Sequence, residues 1–495
     1  MILLALLPII VLLIGMIVLK KSAVIVSPVT LVFTIALALL VFNTTPTEMF
    51  IQTKGGIIEG AKLIFLIWSA FTMLVMMQKT GAMDGIKIAL VSFTDDKRVL
   101  VIMIAFCFSI FLEGAAGAGT PSAICAPFLV GIGFSPLSAA IASLVGAGIA
   151  PSWGGAGATT IVGVSAVAEH VNLADVTAFS GRIAMIGAFV VPIILIVVLF
   201  GKKGLKGLWG YLIYIGIILG SSFFMITNFI GPEIVSLGSG AIGMIASVIY
   251  IKLVKHRTPE EFKYTPDLSD VSKKTKELGT IKSFAPYVIL IIALPVVRFS
   301  FPLSALAKYG YVLWIAYVIF GTILIGSIIL KSAKHYFSYA KEGLIKVIPA
   351  FICMASLLAV ANIMKSIGML NIIAETLASV AGNGYPVAAV AIGSLGSFIT
   401  GTGLGSNVMF GPMHMEAAQL LGLNKVAIFS CQNVGGAIGN MICPNNIVAV
   451  AATVDTLGQE GEIMKKCIPS WLILLVIYGI VGLIYTHIFF PNFGM

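Results

Sequence analysis

The chain has 495 residues, of which 59% are hydrophobic and only 10% charged, where an ordinary soluble domain carries roughly 25% charged residues. A mean hydropathy of +1.09 excludes a soluble protein. The formal net charge of +10 implies no nucleic-acid partner, because most of the Lys and Arg residues fall in short loops between apolar runs, where they act as topology signals.

Apolar runs of about 18 to 20 residues, each able to cross roughly 30 Å of hydrocarbon, recur from Met1 to Phe490. The expected fold is an all-α polytopic membrane protein in a lipid bilayer. In chain order the spans fall near 2–19, 24–42, 57–78, 99–112, 136–150, 183–200, 209–227, 233–251, 284–300, 311–330, 347–366, 385–399, 425–438 and 468–489. The first run has no basic residue before it and Lys20-Lys21 after it, which favours a retained helix over a cleaved signal peptide. Basic loops follow at 79–98, Lys202-Lys203-Lys206, 252–282 and 331–346, and the positive-inside rule places them all on the cytoplasmic face. That arrangement puts both termini outside and gives about twelve crossings. The polar stretch 252–283 reads as a cytoplasmic linker between a first half, 1–251, and a second half, 284–495.

The two halves carry a faint repeat. Shifted by 287 residues, Gly56, Ser69, Met77, Gly81 and Phe111 meet identical residues at Gly343, Ser356, Met364, Gly368 and Phe398. The first repeat core, 99–170, is entered from a basic loop, whereas the second, 385–456, is entered from 367–384, which holds no Lys or Arg. The copies therefore read as inverted. Each has two Gly-, Pro- or Asn-rich breaks: Leu112–Pro121 and Ala150–Gly157 in the first, Thr400–Asn407 and Gly439–Asn446 in the second. Broken helices at membrane depth are tolerated only where the freed backbone is buried in protein or lines a cavity. The expected architecture is therefore two inverted repeats with discontinuous helices, re-entrant hairpins at Glu113–Pro121 and Thr400–Asn407, and an elevator-like mode of transport.

Breaks supply unpaired N–H groups and carbonyls that can hold ions without side-chain charge. The uncharged polar residues there, Thr120, Ser122, Ser152, Thr400, Gly401, Thr402, Ser406, Asn407, Asn440, Asn445 and Asn446, are the expected substrate contacts, since hydroxyls and amides suit a small hydroxyacid. Glu113 heads a Gly-rich break between apolar flanks and reads either as a coupling carboxyl or as a helix cap. The unperturbed pKa of histidine is close to neutrality, which makes His414 a candidate proton relay, with a hydrogen-bonded core role as its alternative. Six cysteines without paired spacing and five histidines without an H-E-x-x-H pattern suggest no disulfide framework, metal site, cofactor or catalytic group, and an enzyme is not expected.

Several motifs in register carry a resemblance. Leu112-Glu113-Gly114-Ala115-Ala116-Gly117, Val130-Gly131-Ile132-Gly133-Phe134, Asn228-Phe229-Ile230-Gly231-Pro232-Glu233, Thr400-Gly401 with Ser406-Asn407, and Gly435-Gly436 with Met441-Ile442 and Pro444 resemble the L-lactate permease family across nearly the whole chain. The resemblance implies a secondary active transporter of L-lactate and related 2-hydroxymonocarboxylates (glycolate, D-lactate) across the plasma membrane, with proton symport. It also marks Arg182, in a Gly-Arg pair, as a carboxylate partner, with an interfacial arginine as the plainer reading. Two charges of the family pattern are absent together: an acid where this chain has Gly403 or Leu404, and a lysine where it has Asn440. A sodium-coupled di- or tricarboxylate carrier of related architecture is the alternative, and the oligomeric state, a homodimer included, stays open.

Overall fold

The computed structural model describes residues 2–19, 21, 23–82, 85, 94–115, 117, 119–254, 258–264, 280–301 and 313–494. Most of the 252–283 linker and the side chain of Thr120 lie outside the described residues. Every named element is a helix, and the only β contact among the described residues is an isolated antiparallel bridge between Asp96 and Lys263.

The first half contains α1 (Ile2–Leu13), α2 (Ala23–Val41), α3 (Pro46–Thr80), α4 (97–115, with a π-helical stretch at Ile102–Phe108) and α5 (Thr120–Gly131). It continues through α6 (Pro136–Gly146, tightening into a 3-10 turn at Ala147–Trp153), α7 (Gly154–Ser165), α8 (Leu173–Phe200), α9 (Trp209–Phe229) and α10 (Val235–Leu253). The second half holds α11 (Thr280–Ser300), α12 (Leu313–Ile329), α13 (Tyr336–Ser366), α14 (Met369–Ala381) and α15 (Tyr385–Thr400). It ends with α16 (Gly403–Leu420), α17 (Lys425–Gly439), α18 (Pro444–Thr453) and α19 (Glu460–Ile484). Among the described residues, seven helical segments are long and apolar enough to cross a membrane by length and composition. The protein is a multi-pass membrane protein.

Several helices outrun their apolar runs, and local chemistry explains why. Thr45 caps α3: its side chain accepts from Glu48 N–H while the Glu48 carboxylate accepts from Thr45 N–H, with Pro46 in the first turn, so the helix starts well before the run at 57. Asn172 caps α8 by accepting from Ala174 N–H, which starts that helix at Leu173 instead of near 183. Polar first turns are affordable where a cap replaces the missing intrahelical partners.

Helices α3 and α13 lie antiparallel, with Gly56 against Ala359, Gly60 against Ala355 and Gly343 against Thr72. Small residues on both faces let the two backbones approach closely, as membrane helix pairs require. Trp68 Nε1 pins the register by donating to Ala340 O at 2.6 Å.

Shifting the starts of α3, α4, α6 and α8 by 287 residues gives 333, 384, 423 and 460, beside the observed starts of α13, α15, α17 and α19 at Tyr336, Tyr385, Lys425 and Glu460. At the α4 end of the bundle, Arg98 and Asp96 form a fully buried ion pair at 2.7 Å. Arg98 Nη1 also donates to Gly204 O and Lys206 O, both at 2.9 Å, and its guanidinium lies 4.3 Å from the Phe262 ring centroid. Tyr264 N–H donates to Asp95 O, so the described part of the linker is tied to the start of α4.

Candidate functional site

All four breaks converge. Gly119, between α4 and α5, has φ +75° and sits against the Asn446 amide; Gly401, between α15 and α16, has φ +82° and sits against Asn445. Both hairpin turns thus meet the start of α18. Any side chain at either glycine would need the left-handed conformation that only glycine adopts cheaply, and would strike an asparagine as well. A 287-residue shift carries Gly119 to Ser406 and Asn446 to Thr159, and there the second hairpin meets α7: Asn407 Nδ2 donates to Thr159 O at 3.2 Å.

A buried polar network runs through this centre. Helix α17 is its spine, with Val426 through Gly439 all buried. Asn407 Nδ2 donates also to Asn433 Oδ1 (2.9 Å), and Asn433 Nδ2 donates to Thr160 Oγ1 (2.9 Å) and Ser180 Oγ (3.1 Å). Thr160 Oγ1 donates to Ser152 O (2.6 Å), and Ser152 Oγ returns to Asn433 O (3.2 Å). On the other side, Gln432 Nε2 donates to Ser406 Oγ (2.8 Å), which donates to Gly393 O (2.8 Å). His414 joins Gln432 Oε1 through Nε2 and Tyr385 OH through Nδ1, each at 2.8 Å. With the amide so oriented, Oε1 only accepts, so the network assigns the hydrogen to Nε2 and makes Nδ1 the acceptor of the phenol. His414 is fully buried, whereas Glu416, two residues on, is exposed on another face.

The other residues expected from sequence divide by surroundings. Asn440 Oδ1 accepts from Ser397 Oγ (2.8 Å), and Asn446 Nδ2 donates to Asn440 O (3.2 Å). Asn445 Oδ1 is buried and has no partner among the described residues. Ser122 lies away from this group, its hydroxyl donating to Ser143 O at 3.0 Å. Glu113, 2% exposed, points at the first turn of α7: a Cβ on Gly154 would stand 2.7 Å from its Oε1. A carboxylate belongs at a helix N-terminus, where the N–H groups and the dipole favour negative charge.

Arg182 lies inside α8 and not at a span end. Its guanidinium is ringed by Phe224, Phe490 and Phe493, at 5.5, 5.4 and 4.6 Å from the ring centroids, and Nη1 is buried with no partner among the described residues. None of these ring neighbours belongs to a break.

Thr400 and Thr402 line a cavity of about 340 Å³ between α16 and the α3–α13 pair. Two lysines that the sequence reading passed over, Lys62 and Lys365, line it together with Asn362. The other missed residues include Tyr385, Gln432, Asn433, Thr159, Thr160, Ser180 and Ser397. Among the described residues, no group of three or more His, Cys, Asp and Glu side chains could hold a metal ion.

The L-lactate permease family profile matches residues 1–331 and 294–489. The chain belongs to the L-lactate permease family. It is 27% identical to the glycolate permease GlcA of Escherichia coli (strain K12), over 98% of this chain and 96% of that permease. It is 26% identical to the L-lactate permease of Bacillus subtilis (strain 168), over 93% and 91%. A putative L-lactate permease of Haemophilus influenzae is 27% identical, over 92% of each. The residues matched by the family profile include every break.

Proposed function

We propose that this permease carries L-lactate and related 2-hydroxymonocarboxylates such as glycolate and D-lactate across the plasma membrane by proton symport. The observation that carries the reading is the meeting of two glycine-broken hairpins with the first turns of α7 and α18, which belong to opposite halves of the chain. Half-helix starts of this kind hold an anion through N–H groups without a fixed side-chain charge. Glu113, beside the start of α7, is the coupling carboxyl: protonated it is neutral, ionised it sits on a helix N-terminus, and the same site tolerates both forms.

The coincident starts of α3, α4, α6 and α8 with α13, α15, α17 and α19 support two repeats, which we read as inverted. The centre built from 97–165 and 385–453 moves as one unit against a scaffold that includes α3 and α13, in an elevator-like alternation. Both termini lie outside, and a cysteine placed at position 270 should react with an impermeant reagent only from the cytoplasmic face; labelling from outside would reverse the topology.

Reconstituted protein in proteoliposomes tests the function. An inward proton gradient should drive accumulation of labelled L-lactate and glycolate, and a sodium gradient alone should not. Accumulation of di- or tricarboxylates under a sodium gradient, with lactate excluded, would replace this reading with that of a sodium-coupled carrier.

A further inference from the structure

An intramembrane ammonium is costly in lipid and is retained where it faces a cavity or a partner. Lys62 stands near the middle of the 35-residue α3, and Lys365 in the last turn of α13. Neither makes an ion pair among the described residues, where the ion pairs are Lys79–Glu342, Arg98–Asp96, Lys263–Glu260 and Lys466–Glu462. Both line the cavity of about 340 Å³ against α16, together with Asn362, Thr400 and Thr402, and the rest of its wall is apolar or glycine. Among the described residues no acidic side chain lines it. A pocket of this size, mostly apolar with a few polar groups, suits a small ligand, and its two positive charges, without a counter-charge among the described residues, favour an anion.

The polar wall has a definite shape. Thr402 caps α16 by accepting from Gly405 N–H at 2.9 Å, which leaves its hydroxyl hydrogen able to point into the cavity. Thr400 Oγ1 is turned inward, to Gly396 O at 2.8 Å and Thr402 O at 2.9 Å. The antiparallel register that sets Gly56 against Ala359 and Gly60 against Ala355 places Lys62 level with the region near residue 353. Lys365 is then about twelve residues further along, roughly 18 Å at 1.5 Å per residue. The two lysines thus stand at different levels of the cavity, and we give them different roles.

We propose that this cavity is the carboxylate-holding subsite of the carrier, with Lys62 pairing the carboxylate of a small 2-hydroxymonocarboxylate, Thr402 donating to it from the start of α16, and Lys365 drawing the anion in from the far end. The proposal rests on the carrier reading above and adds to it a fixed cationic partner that the breaks themselves lack. It also ties the ligand to both α3 and α16, so that loading is felt by the moving hairpin and by the scaffold.

The test is counterflow of labelled L-lactate in proteoliposomes holding wild type, Lys62→Gln, Lys62→Arg or Lys365→Gln. Lys62→Gln should raise the half-saturating concentration roughly tenfold or more, as for a lost hydrogen bond to a charged group, and Lys62→Arg should restore much of it. Lys365→Gln should raise it about threefold at low salt, an effect that fades as salt screens long-range attraction. Unchanged half-saturation in both Gln variants, with wild type exchanging lactate, overturns the subsite while the lactate reading stands. If wild type exchanges no lactate, the same four proteins are given labelled glycolate, pyruvate and acetate. Exchange of one of these that depends on Lys62 upholds the subsite and removes lactate; exchange of none overturns both.

Discussion

Helix α16 shows two opposed ways of treating polar groups on its two faces. On the inner face, Ser406, Asn407 and His414 are fully buried, and each hydrogen-bonds to another polar group of the network. On the outer face, Thr402 and Gly405 look into a cavity whose two lysines have no counter-ion among the described residues. A closed set of hydrogen bonds fixes shape, because every buried donor or acceptor left alone costs free energy. Open charges at a cavity fix nothing in the fold and are available to a ligand. The inner face therefore sets the geometry of the second hairpin, and the outer face is the one we propose meets what is carried.

Substitutions can break this contrast, and their expected effects fall in order. The steepest loss of stability should come at the buried ion pair: Arg98→Met removes the guanidinium that Asp96 meets at 2.7 Å and should cost about 3–5 kcal/mol. Thermal unfolding of the purified protein in detergent would show it, and an unchanged midpoint would mean the pair is not buried as described. Next comes Asn433→Ala, which removes the amide that receives Asn407 and donates to Thr160 and Ser180. About 1–3 kcal/mol is expected for each polar group left unpaired in that interior. Thr402→Ala removes a helix cap and should cost about 1 kcal/mol of stability, with a proportionally larger loss of lactate affinity. Smallest is Lys62→Gln, an exposed change expected to stay within about 0.5 kcal/mol in stability. Should Lys62→Gln destabilise as much as Asn433→Ala, the division between the two faces would be wrong.

Much of this was legible in the residues. Apolar runs and glycine-rich breaks placed the helices and the hairpin turns, since a break at membrane depth has few physical excuses. The polar residues of the breaks were found, but not their protein partners: Ser406 and Asn407, expected to contact a substrate, hydrogen-bond to Gly393, Gln432 and Asn433. The signal for the network was present in Ser430-Cys431-Gln432-Asn433, a polar run inside an apolar span, and it reads equally as ligand contact or as core until α7 and α8 are seen to supply Thr160 and Ser180. Lys62 and Lys365 lay within the spans 57–78 and 347–366, where a charge is informative by its cost alone. Arg182 was misplaced because the apolar run starts after it, whereas the cap at Asn172 starts the helix before it.

We have proposed that the convergent breaks couple lactate movement to a proton held by Glu113. The most direct test is Glu113→Gln, which keeps hydrogen bonding but removes the titrating group. L-lactate counterflow and proton-driven accumulation are to be measured in the same proteoliposomes. The account predicts that counterflow persists while accumulation under an imposed proton gradient disappears; accumulation at the wild-type level in that variant would contradict it.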